Sequence, residues 1–179
     1  MRKPADAISA YLRAKDGNRP HLLAHAFAEH AVLTMDVRTG TIAFPPVSRG
    51  RDAIADVLVR RFTQAYENVY TLCLGPAPMH FVNVFRCDWL VAMTEKEGRG
   101  VRVGCGRYDW RFAPVSGLVD SLMITIEVMQ ALPADAQADV IAWVANLPSR
   151  WCSAQFALQD MPHRDELAPI LDYFSAAVV

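Results

Sequence analysis

Apolar periodicity changes once along this chain, near residue 66, and that change limits the folds open to it. Before it, apolar residues recur mainly at helical spacing. After it they alternate, in four runs: Val69–Leu74, extended by Phe81–Phe85; Trp89–Thr94; Val101–Phe112; and Leu118–Met129. A period of two sends successive side chains to opposite faces of a strand. Lys96-Glu97-Gly98 and Val115-Ser116-Gly117 are turn signals between runs. Consecutive strands with short turns predict an antiparallel meander. Helices and strands segregated along the chain predict an α+β fold, not a doubly wound sheet.

The helical part reads as three elements. The first spans about Asp6 to Lys15, with Asp6 as its cap and Ile8, Tyr11 and Leu12 as its inward stripe. A second helix is predicted after Pro20, burying Leu22, Leu23, Ala26 and Phe27. A short strand, Val32 to Met35, follows. The third helix is predicted from Arg51 to Tyr66, with Ile54, Val57, Leu58 and Ala65 inward. The end of the chain turns helical again. Val140, Val144 and Leu147 form one stripe, and Leu167, Ile170, Leu171 and Phe174 another, broken up by Pro148, Pro162 and Pro169. We therefore expect an α+β unit over residues 1–131 and a helical extension over 132–179, packed on the same domain.

Charge narrows the function classes. Eighteen basic against 19 acidic residues give a net charge of -1, which is no footprint for nucleic acid or an anionic membrane. No stretch approaches the roughly 20 apolar residues of a membrane span. Met-Arg-Lys-Pro-Ala-Asp lacks the apolar core of a signal peptide. Cys73, Cys87, Cys105 and Cys152 show no CxxC spacing, so we expect free buried thiols and a cytoplasmic location.

Three stretches together carry a family resemblance: "HLLAHAFAEHAVLTM" from His21, "SRGRDAIADVLVRRF" from Ser48, and "GRYDWRF" from Gly106 followed by "LVDSLMITIEVM". In order and spacing, across about residues 5–129, they resemble the nuclear transport factor two-like, or SnoaL-like, superfamily. Ketosteroid isomerases, scytalone dehydratase and polyketide cyclases belong to that group. The resemblance implies a cone-shaped, curved antiparallel sheet wrapped on N-terminal helices, with a ligand pocket at the open end. Such sheets often pair back to back, so it also implies a homodimer. The tail after Ala131 is longer than the family's.

Candidate site residues follow from strand alternation and from the resemblance. Gly104, Gly106, Tyr108, Trp110 and Phe112 share one face of their strand, small and then aromatic, as in the wall of an apolar pocket. With Trp89, we expect Trp110 and Phe112 to contact a ligand. Tyr108 stands where the isomerases place an oxyanion donor, and a neutral phenol has that capacity; the alternative is a core tyrosine. Tyr11 resembles the isomerases' first-helix tyrosine, and its stripe also suits a plain buried face. Asp36 lies beside the family's general-base position, which Met35 occupies in register; the alternative is a solvated turn aspartate. Asp120 resembles the late aspartate of the cyclases, or is an exposed strand end. His80 resembles a pocket acid–base histidine, or is a surface residue next to Pro76 and Pro78. His21, His25 and Glu29 have the i, i+4, i+8 spacing of metal ligands, but on the face opposite Leu23 and Phe27, so no metal is expected.

Two functions fit. One is a cofactor-independent isomerase, dehydratase or cyclase acting on a small, apolar carbonyl compound. The other is a non-catalytic ligand-binding or dimerisation module, with Trp143, Trp151 and Phe156 covering the pocket mouth or a second subunit.

Overall fold

The computed structural model describes residues 2–176. Helix α1 (Pro4–Asp16) opens on Pro4, whose missing N–H costs nothing at a helix start. A 3₁₀ turn (Pro20–His25) leads into β1 (Phe27–Val37) and the short β2 (Val47–Arg49). One helical rod follows, from α2 (Arg51–Ala55) through a π-helical segment (Asp56–Arg61) to α3 (Phe62–Ala65). The meander comes next: β3 (Tyr66–Leu74), β4 (Val84–Glu95), β5 (Val101–Phe112) and β6 (Val119–Leu132). The tail contains α4 (Gln137–Ala145), β7 (Trp151–Cys152), α5 (Ala154–Gln159) and α6 (Ala168–Ala176).

The strands form one curved, unclosed seven-stranded sheet in the order β2-β1-β6-β5-β4-β3-β7. The predicted α+β class and meander hold over β3–β6, which are antiparallel neighbours. β1 joins parallel to β6, and β7 parallel to β3. The register of β5 on β6 slips between Cys105 and Gly106. At that bulge a Cβ on Gly106 would sit 2.0 Å from the Thr125 carbonyl oxygen, so only glycine allows the close approach.

Several boundaries differ from the sequence reading. The predicted second helix is only the 3₁₀ turn, and Phe27 already starts an 11-residue strand. Phe27, Ala31, Leu33 and Met35 are buried, and their spacing within β1 settles into strand alternation after Ala28. Glu29 therefore sits on β1, not on a helix with His21 and His25. Phe81 lies in the loop after β3, and Phe85 belongs to β4. In α6 the inward residues are Ile170 and Phe174, while Leu171 is exposed.

The sheet is buried on both faces. On the concave side α1, the π-containing rod and β1 enclose Ile8, Tyr11, Leu58, Trp89, Tyr108 and Trp110. On the convex side Val140, Trp143, Ile170 and Phe174 of the tail cover Leu72, Leu90, Val103 and Cys105. β5 shows how this is encoded. Tyr108, Trp110 and Phe112 face the concave core, whereas Val101, Val103 and Cys105 face the tail. No helix among the described residues is long and apolar enough to cross a membrane.

Candidate functional site

The concave side keeps a small cavity of about 50 Å³, room for only a few waters. Tyr11 and Lys15 reach it from α1, Leu58 and Phe62 from the helical rod, and Ile42 and Phe44 from the loop between β1 and β2. The sheet contributes Thr71, Trp89, Val91, Tyr108 and Ile124. Leu58 lies in the π-helical segment; such segments are rare and cluster at functional sites. Ile126 and three methionines, Met35, Met93 and Met129, complete the wall. Unbranched methionines repack easily, so the cavity can adapt to a larger occupant.

Aromatic contacts fix the two tyrosines. Tyr11 meets Phe27, Tyr108 and Trp110 edge-on, with ring centroids 5.8, 6.0 and 5.5 Å away. Tyr108 stacks on Trp89 at 5.6 Å. Burial pushes both phenols above the ordinary tyrosine range, since a phenolate here would lose its water. They remain neutral donors. The Trp89 Nε1–H is buried and has no hydrogen-bond partner among the described residues, which is uncommon for a buried donor.

The polar corner is a set the sequence reading missed. The Lys15 ammonium, nearly buried, donates to Thr71 Oγ1 at 2.7 Å and pairs with Asp16 Oδ1 at 2.8 Å. Thr71 in turn donates its hydroxyl to Asp16 Oδ1 at 2.8 Å and its N–H to Oδ2 at 2.9 Å. The ammonium also lies 5.0 Å from the Phe62 ring centre. The available signal was position: Lys15 continues the Ile8, Tyr11, Leu12 stripe, and a lysine there cannot reach solvent without leaving the buried face.

The other sequence candidates lie elsewhere. Asp36 follows Met35, and strand alternation sends it to the convex face, where it pairs with Arg38 at 2.9 Å. Met35 is the neighbour that lines the cavity. Asp120 is half-buried and its carboxylate meets His30 Nε2 at 2.8 Å, away from the cavity. His80 is exposed in the β3–β4 loop. Trp110 and Phe112 are core residues stacked on each other at 6.3 Å and do not line the cavity. Of the eight residues expected at the site, the cavity gathers Tyr11, Tyr108 and Trp89. The tail does not cover the cavity either: Trp143 is in the convex core, Trp151 packs at 6.0 Å against Phe85, and Phe156 is exposed.

Known structures share the fold. An NTF2-like protein from Burkholderia thailandensis superposes with a TM-score of 0.55 at 13% identity, over 70% of this chain and 92% of that one. The fold is that of the nuclear transport factor 2-like superfamily. A hypothetical protein with a ketosteroid isomerase-like fold from Catenulispora acidiphila, solved with trimethylamine, gives 0.53 at 15% identity, over 69% and 85%. A type 2 hexachlorocyclohexane dehydrochlorinase gives 0.56 at 16% identity, over 71% and 84%. This NTF2-like fold serves enzymes and proteins of unknown function alike, so function must come from the site. No protein-family model and no curated protein matches the sequence.

Proposed function

We propose that the cavity binds a small, largely apolar molecule carrying one hydrogen-bond acceptor, such as a carbonyl oxygen. The observation that carries this reading is an imbalance of donors over acceptors. Tyr11, Tyr108 and the unpartnered Trp89 Nε1–H face or border the cavity, and the one nearby carboxylate, Asp16, is already held by Lys15 and Thr71. An apolar wall with a few donors orients an acceptor and rejects a donor. No base is aimed into the cavity at Asp36, Asp120 or His80, so binding is favoured over proton abstraction.

The catalytic alternative, a cofactor-independent isomerase, dehydratase or cyclase, has one supporting observation. Lys15, paired with Asp16 behind it, puts a proton-bearing group on the wall, which is where proton transfer would begin. The homodimer expected from the resemblance would have to use another surface, because the tail already covers the apolar half of the convex face. We treat residues 1–131 as the ligand-binding unit and 132–179 as its cover. The four buried free thiols support a reducing, cytoplasmic setting.

The test is a nuclear magnetic resonance titration with cyclopentanone and with cyclopentane. The ketone is expected to bind more tightly and to lose about 1 kcal/mol in Tyr108→Phe. Equal binding of both compounds by the unmodified chain would remove the donor argument.

A further inference from the structure

A second recess lies on the other side of the polar corner. It holds about 250 Å³ between the end of α1, β3 and the loop after α4. Its floor is apolar, with Leu12, Leu72 and Val144 all buried. Arg13 and Arg150 line it, with Asp16 and Thr71 on one side.

Charge decides what this recess suits. The Asp16 carboxylate is compensated: Oδ1 takes the Lys15 ammonium and the Thr71 hydroxyl, and Oδ2 takes the Thr71 N–H. Arg13 and Arg150 belong to no ion pair among the described residues. Two positive charges thus border an apolar floor. Arg150 is further held at φ 73°, a left-handed conformation unfavourable for a non-glycine residue. Its carbonyl accepts from the Cys73 N–H at 2.7 Å, which fixes the root of the side chain beside β3.

We propose that this recess binds a small organic carboxylate, its anionic head on Arg13 and Arg150 and its apolar body on Leu12, Leu72 and Val144. Planar guanidinium groups match carboxylate oxygens in pairs. The carbonyls at the end of α1 draw off part of the positive charge, so affinity in the range of roughly 0.1–1 mM is expected. Thr71 lines both the recess and the cavity, so an occupant here touches the residue that holds Lys15.

The experiment is a titration of the full chain with hexanoate and with hexanamide, followed by ¹H–¹⁵N spectra. Hexanoate is expected to bind at least tenfold more tightly than the amide, to weaken with salt, and to shift Tyr70 and Ser149. Arg13→Gln and Arg150→Asn are each expected to weaken it three- to tenfold; asparagine keeps the left-handed backbone accessible. Tyr108→Phe is expected to leave hexanoate binding unchanged, which separates this site from the cavity. Equal affinity for acid and amide, or undiminished hexanoate binding in both arginine variants, would overturn the proposal. So would shifts confined to Met93 and Met129 and lost in Tyr108→Phe, since these place the acid in the cavity.

Discussion

The two faces of the sheet use the same strands for opposite ends. On the convex face the tail fits closely, and its polar aromatic atoms are paired: Trp143 Nε1 donates to the Ala157 carbonyl at 2.8 Å, and the Tyr173 hydroxyl to Asp88 at 3.0 Å. On the concave face the Trp89 and Trp110 indole N–H groups have no partner among the described residues, and space remains beside Tyr11 and Tyr108. A buried donor without a partner costs about 1–3 kcal/mol. Both indoles lie on the concave side, the side with room for another molecule; among the described residues a third unpaired buried atom, Thr125 Oγ1, lies between Ile124 and Ile126 and so on the opposite face of β6. The convex face is closed by the chain itself, whereas the concave face keeps a cavity.

The sharpest test of the closed face is Trp143→Ala. It removes a large buried ring and its hydrogen bond, so a loss of about 3–5 kcal/mol is expected in urea unfolding. A loss below 1 kcal/mol would mean that the tail is not integral to the fold. On the concave face Lys15→Met is expected to cost about 2 kcal/mol, because it strips Asp16 of its cation. This is less than for a fully buried pair, since water reaches Asp16.

Alkaline titration probes both faces together. Burial raises the phenols of Tyr11, Tyr108 and Tyr173 above their unfolded value near 10. A raised acid favours the protonated folded state. Its contribution is complete below pH ~10 and is lost as pH climbs toward the folded values. Absorbance at 295 nm is expected to show these three phenols ionising only as the chain unfolds. Early ionisation of all five tyrosines would mean that both faces are open to water.

Tyr173→Phe should cost about 1 kcal/mol, the worth of one hydrogen bond to a charged acceptor that water partly replaces. Asp36→Asn is the smallest expected effect. Its carboxylate is exposed on the convex side, so neither the urea midpoint nor ketone binding should move. A change in ketone binding would return Asp36 to the site.

Sequence pattern made much of this readable. The change of period placed four strands after the helices, and alternation on β5 correctly put Tyr108 among the buried aromatics. Three expectations fail, each for its own reason. Phe27 was assigned to a helix because Leu23, Ala26 and Phe27 are spaced for one, yet the same residues serve a 3₁₀ turn running into a strand. Trp110 and Phe112 were assigned to the pocket because they share a face with Tyr108, but the helices above that face fill their end of it. Asp36 was one residue from the inward position, and in a strand one residue reverses the face.

The sequence alone therefore determined class, strand order within the meander, and the main buried stripes, since these follow from local periodicity; Ala65 and Leu171, spaced to lie inward, are exposed. Only the tertiary structure decided that Lys15, Asp16 and Thr71 meet, because Thr71 lies 55 residues from Asp16. It also decided that the tail covers the convex face and leaves the cavity open. Both are long-range contacts, set by how the curved sheet packs between two helical layers, and no local pattern encodes which layer a helix will join.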